Sequence, residues 1–277
     1  MTIQEYNPSC GRASLLHLAM DPRVITREEL ANATRFGDFT PVYKIDTKTV
    51  VKTGDSVRLA EAAAMRLVRE KTSIPVPEIY NAYTDGDTGH VRIVMQFIEG
   101  DCLSNKWDQY DAQQKERLLQ QLSDMFPQLR DIKGTFIGSV DGSACEDPLF
   151  DEDIGNYGPY KDEASFHQGV ITALRNTLEG GWVDTVCAMV SALSEHETVL
   201  THGDISPRNI LVREDKVVAI LDWEMAGYYP EYWEYTKALF RPAWESGWIK
   251  DKAVDRVLQP YPMELAVFLH VHSVGAW

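Results

Sequence analysis

The chain has 277 residues, enough for one large domain or for two lobes with cores of their own. Its 44% hydrophobic and 25% charged residues suit a soluble globular protein, and no apolar run approaches the roughly 20 residues of a membrane-spanning helix. The net charge is −15, and residues 1–100 hold 12 Lys and Arg against 13 Asp and Glu, so all but −1 of that charge falls after residue 100; this excludes the basic surface that nucleic acid or an anionic membrane requires.

An acidic surface serves solubility first, and it would also draw a cationic substrate through long-range attraction. No basic stretch near the N-terminus leads into an apolar run, so no secretory signal is expected. Cys10, Cys102, Cys145 and Cys187 are far apart and lack metal-ligand spacing. Reduced thiols in a cytoplasmic protein are the simplest expectation.

Residues 1–32 read as a lead-in with a short helix near 27–33. Residues 36–44 and 49–52 read as a strand pair, with Gly37 able to form a tight phosphate-facing loop. There is no Gly-x-Gly-x-x-Gly and no Walker A pattern, so no glycine-rich loop is claimed. Asp55 or Ser56 is expected to cap a helix running to about Lys71. On one face of that helix Glu61 falls beside Ala64, Met65 and Val68. A carboxylate among small apolar residues needs a cationic partner. Lys52, at the end of the preceding strand, is the candidate, and a lysine so held can reach nucleotide phosphates.

The Ile74-Pro75-Val76-Pro77 run stops that helix. Residues 79–83 and 90–98 read as strands joined by an Asp-Gly-Asp-Thr-Gly turn. Residues 111–130 form a strongly amphipathic helix, with Leu118, Leu119, Leu122, Met125 and Phe126 on one side. Residues 134–163 are rich in Gly, Asp and Pro and read as an irregular excursion of the kind that usually serves function. Helices are expected over 166–178 and 183–193, and short strands over 198–201 and 217–221.

The most informative residues follow. In Thr201-His202-Gly203-Asp204-Ile205-Ser206-Pro207-Arg208-Asn209, a carboxylate stands five residues before a carboxamide. In Ile220-Leu221-Asp222-Trp223-Glu224, a second carboxylate follows an apolar strand. One carboxylate can receive a hydroxyl proton, and one amide oxygen with one carboxylate can hold magnesium. Those are the groups needed to move a phosphoryl group from a nucleotide to an alcohol. An aromatic-rich stretch from Tyr228 to Trp248 reads mainly as packed core. Glu224, Glu231, Glu234 and Glu245 within or beside it are candidates for recognising an amine, helped by aromatic faces.

These motifs resemble those of the aminoglycoside phosphotransferase and choline kinase-like family. That family shares the protein-kinase fold, carries Gly after the catalytic-loop His, and often lacks the glycine-rich pattern. The resemblance runs from about residue 33 to the C-terminus. It implies an α+β, two-lobed protein-kinase-like fold, with a small antiparallel-sheet lobe over 1–99 and a larger, mainly helical lobe over 100–277. It also implies that Asp204 is the catalytic base or hydroxyl-orienting residue. Asn209 and Asp222 would be magnesium ligands. Lys52 and Glu61 would serve the nucleotide, and backbone groups of Gln96, Phe97 and Ile98 would bond its base. The implied cofactors are ATP, with GTP as the alternative, and magnesium. The implied acceptor is a small-molecule hydroxyl, with an amino sugar or amino alcohol as the leading type. Two other readings are a catalytically silent binding protein of this fold and a protein kinase. Against the latter stand Gly203, Trp223 and the lack of an Ala-Pro-Glu segment.

Overall fold

The computed structural model describes residues 22–36, 41–150, 157–193, 195–240 and 242–275. Gly37 and Cys10 lie outside them.

The fold is two-lobed and protein-kinase-like. Helix α1 (Arg27–Ala31) opens it, capped by Thr26, whose hydroxyl and the Glu29 carboxylate satisfy each other's backbone amides. A five-stranded antiparallel sheet follows. It uses β1 (Thr34–Phe36), β2 (Val42–Lys44), β3 (Thr49–Gly54), β4 (Ile79–Thr84) and β5 (Val91–Gln96), in the order β1-β2-β3-β5-β4. Helix α2 (Leu59–Lys71) lies between β3 and β4 in the chain. It buries Ala62, Ala64, Met65 and Val68 in one core with Val50, Ile93 and Met95 of the sheet.

Two expectations change here. The strand predicted over 36–44 is two short strands, β1 and β2, separated by residues outside the described set. Neither Asp55 nor Ser56 caps α2. The Val57 amide bonds to the Gly54 carbonyl in a tight turn, which places Arg58 at the N-cap without a side-chain bond. Asp55 instead pairs with His90.

The larger lobe begins with β6 (Asp101–Cys102), α3 (Leu103–Lys106) and α4 (Ala112–Arg130). Asp111 and Gln114 form a reciprocal cap at the start of α4, and Leu118, Leu119, Leu122, Phe126 and Leu129 are buried. The excursion contributes β7 (Gly138–Ser139). Helices α5 (Glu163–Thr177) and α6 (Gly181–Ser191) follow. The first starts earlier than the apolar pattern suggests because Asp162 caps it. Then come β8 (Thr198–Thr201), β9 (Ile210–Arg213), β10 (Lys216–Ile220) and β11 (Gly227–Pro230). These form two three-stranded sheets, β10-β9-β6 and β7-β11-β8. Helices α7 (Trp233–Ala238), α8 (Gly247–Lys250), α9 (Ala253–Val257) and α10 (Pro262–Gly275) close the chain. Tyr229, Tyr232 and Trp233 pack with Phe166 and Phe268 in a second core, so most of the aromatic stretch is structural. No helix among the described residues is long and apolar enough to cross a membrane.

Candidate active site

The loop 202–209 connects β8 to β9, and the 221–226 segment leaves β10, so the two motifs start from one hairpin. Ile220 pairs with Ile210 across it, and the Leu221 amide donates to the Asn209 carbonyl at 2.8 Å. His202 ties the motifs together. It is fully buried, its Nδ1 accepts the Asp204 amide at 3.1 Å, and its Nε2 bonds the Leu221 carbonyl at 2.9 Å. Burial holds its pKa below the ordinary histidine value. Its ring stands 4.5 Å from that of Trp223, whose indole N–H donates to the Ile220 carbonyl. His202 is therefore a support for the loop.

Gly203 has φ +83°, and a Cβ there would lie 2.8 Å from the Met225 carbonyl oxygen. Only glycine lets the loop pass the 221–226 segment this closely. Asp222 also sits in the left-handed region, at φ 65°. Such backbone positions in non-glycine residues persist only where the surroundings hold them. The Asp222 side chain meets Lys52 Nζ at 2.7 Å.

Lys52 brings the two lobes together. Its Nζ lies 3.0 Å from both Glu61 oxygens, 2.7 Å from Asp222 Oδ1 and 3.0 Å from Glu224 Oε2. The lysine side chain is 5% exposed and that of Glu61 3%, whereas Asp222 is 37% exposed. Burial disfavours the ammonium, but Glu61, Asp222 and Glu224 together outweigh it and hold the lysine pKa above its usual value. Burial pushes the Glu61 carboxyl up to about 7, opposed by the ammonium beside it.

Around Asp204, Arg208 donates to Oδ1 at 3.0 Å and Oδ2 at 2.8 Å. Asn209 Nδ2 donates to the Asp204 carbonyl and to Oδ2, both at 2.9 Å. With the amide nitrogen so used, the Asn209 Oδ1 is the atom left for a cation. Asn209 Oδ1 and the part-exposed Asp222 carboxylate are hard oxygen donors, which fits magnesium. Among the described residues, no group of three His, Cys, Asp or Glu side chains could hold a metal ion. A site that takes the rest of its ligands from phosphates and water does not need one.

The predicted base-binding backbone is partly committed elsewhere. The Gln96 amide donates to the Glu78 carbonyl at 2.8 Å and the Phe97 amide to the Lys48 carbonyl at 2.7 Å. The Ile98 amide remains the candidate donor from that run.

A cavity of about 320 Å³ opens beside Asp204, lined by Trp107, Asp108, Arg208, Lys237, Phe240 and Trp248 among others. None of the four glutamates expected to recognise an amine is in its described lining. Glu231 pairs with Arg130, and Glu245 is exposed and pairs with Lys250. Glu234 accepts the His202 amide at 2.6 Å and the Gly203 amide at 3.1 Å. The fourth, Glu224, belongs to the Lys52 cluster. Sequence position alone grouped these acids; their partners lie in other elements and separate them.

Burial pushes the Glu234 carboxyl up to about 7, against the two amides that favour its ionised form. A carboxyl raised in the folded state adds stability below its unfolded pKa and loses it as pH rises through the folded value. The stability advantage of wild type over Glu234→Gln should therefore shrink between about pH 4.5 and 7.5, by about 3 kcal/mol at most. Denaturant midpoints across that range check this; a gap that widens would contradict it.

Comparison with known proteins follows the same lines. The model of the phosphotransferase enzyme family (APH) matches residues 37–261. No curated protein sequence matches. Among solved structures, a thermostable mutant of aminoglycoside phosphotransferase APH(4)-Ia in its apo form is 12% identical, with TM-score 0.61 over 88% of this chain and 85% of that one. A further variant of that thermostable protein, in ternary complex with ADP and hygromycin B, gives 12% identity and TM-score 0.60 over 89% and 86%. The GDP and kanamycin complex of APH(2")-IIia gives 14% and 0.59 over 88% and 84%. At these identities the likeness is one of fold.

Proposed function

The chain belongs to the phosphotransferase enzyme family, and on that premise we propose that it moves the γ-phosphoryl group of ATP or GTP to a hydroxyl of a small molecule. The observation that carries this reading is the convergence on one centre of Lys52 and Glu61 from the sheet lobe with Asp222 and Glu224 from the helical lobe, beside Asp204 and Asn209. The neighbours solved with ADP and with GDP support a nucleotide donor. We divide the chain at residue 99 into a nucleotide-binding part and a catalytic and acceptor-binding part.

In this mechanism Asp204 takes the proton of the acceptor hydroxyl. The hydroxyl oxygen attacks the γ-phosphorus, the bond from phosphorus to the β–γ bridging oxygen breaks, and the nucleoside diphosphate leaves. Lys52, oriented by Glu61, turns to the phosphates when they enter. Asn209 and Asp222 would hold magnesium, which would supply charge neutralisation at the phosphate oxygens. Positioning and preorganised charge supply most of the rate. The base, nucleophile path and leaving group need no covalent intermediate on the protein.

The acceptor enters from the cavity beside Asp204, where aromatic faces and Asp108 suit a ring-bearing or singly cationic alcohol. The silent-binding alternative is separated by product analysis. Incubation with magnesium, ATP or GTP and a panel of amino sugars, amino alcohols and aromatic alcohols should give one phosphorylated product. Nucleotide binding with no phosphorylated product and no nucleotide consumption across the panel would favour a binding protein.

A further inference from the structure

Arg208 is tied to the base in a way that stability does not explain. One guanidinium nitrogen, Nη2, donates to both oxygens of Asp204, yet the side chain is 68% exposed. Ion pairs that exposed add little to folding. The surrounding charge gives it another use. Arg208 stands on the acceptor side of a centre whose other described acids, Asp222 and Glu224, are already shared with Lys52.

The transfer itself poses an electrostatic problem there. A γ-phosphoryl group spreads negative charge over three equatorial oxygens, and the base that must receive the hydroxyl proton is also an anion. On the nucleotide side Lys52 can meet that charge. On the acceptor side the cavity's described lining offers two cations, Arg208 and Lys237. Lys237 is buried and ion-paired with the buried Asp147 at 2.7 Å. Moving it would strand a buried carboxylate, at a high cost. Arg208 has no such restraint: it is long, exposed and, among the described residues, bonded only to the group that must be freed.

We propose that Arg208 is a catalytic residue of the transfer. With nucleotide bound, its guanidinium gives up one Asp204 oxygen to the acceptor hydroxyl and donates its N–H groups to the γ-phosphoryl oxygens. The assignment rests on the phosphotransferase reading above. Arg208 donates hydrogen bonds only. The new oxygen–phosphorus bond, the broken bond to the bridging oxygen and the proton passed to Asp204 are those of the main reaction, with the nucleoside diphosphate as leaving group. In the structure the Arg208 Nη2 donates to both Asp204 oxygens.

The test separates the γ-phosphate from the rest of the nucleotide. Wild type, Arg208→Ala and Arg208→Lys are titrated calorimetrically with ADP and with AMP-PNP, magnesium present. ADP affinity should agree within about twofold among the three, while AMP-PNP affinity in Arg208→Ala falls roughly tenfold or more, since charge-assisted contacts to phosphate are lost. Arg208→Lys should recover part of that loss, because a point charge replaces the fork only incompletely. An unchanged ratio of AMP-PNP to ADP affinity in Arg208→Ala would overturn the assignment, as would equal losses for both nucleotides, which mark a structural role. A wild type that binds neither nucleotide would overturn the phosphotransferase reading itself, and is seen before any variant is compared.

Discussion

Asp204→Asn is expected to lower phosphoryl transfer by about 10²- to 10⁴-fold, the usual contribution of a positioned base, while magnesium-dependent nucleotide affinity stays within a few-fold of wild type. The loop's path does not depend on this side chain. It is held by Glu234 on the His202 and Gly203 amides, by His202 on Leu221, and by the Leu221–Asn209 backbone bond. The substitution keeps the shape of the side chain and removes the proton acceptor. It also turns an amide N–H₂ toward Arg208 or Asn209, two groups that donate to the present carboxylate. The loop should lose a little stability, and the loss should appear in the rate rather than in nucleotide affinity. Steady-state kinetics beside nucleotide titration checks this. Equal loss of turnover and nucleotide affinity would show that Asp204 is a structural residue.

The second large effect is on stability. Lys52→Met removes the one ammonium that serves Glu61, Asp222 and Glu224 at 2.7–3.0 Å. Glu61 cannot turn to water, because it is 3% exposed in the core of α2 and the sheet. Removing one partner of a buried ion pair costs about 3–5 kcal/mol, which in a chain of this size lowers the melting temperature on the order of 10 °C. The pH dependence follows from Glu61. Its carboxyl is already pushed up to about 7 by burial with the lysine present, and losing the lysine raises it further. A raised carboxyl gives stability that is complete below its unfolded value and lost as pH rises. The deficit of Lys52→Met should therefore be small near pH 4.5 and grow through pH 7. Adding Glu61→Gln should recover much of the loss at pH 8. Melting curves of both variants decide the matter, and a Lys52→Met protein that melts like wild type at pH 8 would show that the cluster is not a buried ion pair.

Much of this site was legible in the chain. The His202–Asn209 run and Asp222 lie within 21 residues on one hairpin, so local spacing was enough to find them. Lys52 and Glu61 were legible for a similar reason: a strand end and the first turn of the next helix stay close in space. What the sequence hid was long-range pairing. Glu224 meets a lysine 172 positions away, and that distance put it among acids thought to recognise an amine. Glu234 carries two backbone amides of the 202–209 loop, a task with no sequence signature. Trp107 and Phe240 line the cavity beside Asp204 from distant parts of the chain, and neither was singled out. The cap of α2 was misread because Asp55 and Ser56 carry good capping groups, while the turn at Gly54–Val57 places the helix start beyond them.

The central claim is that the Lys52–Asp222 centre binds a magnesium nucleotide, and thermal denaturation with ATP or GTP, with and without magnesium, tests it most directly on wild type and Asp222→Ala. A ligand at a hundred times its dissociation constant adds about 2.7 kcal/mol to stability, several degrees in a chain of this length. The expected result is a magnesium-dependent rise in wild type that Asp222→Ala loses. No rise with either nucleotide in wild type, or a full magnesium-dependent rise in Asp222→Ala, would contradict the account.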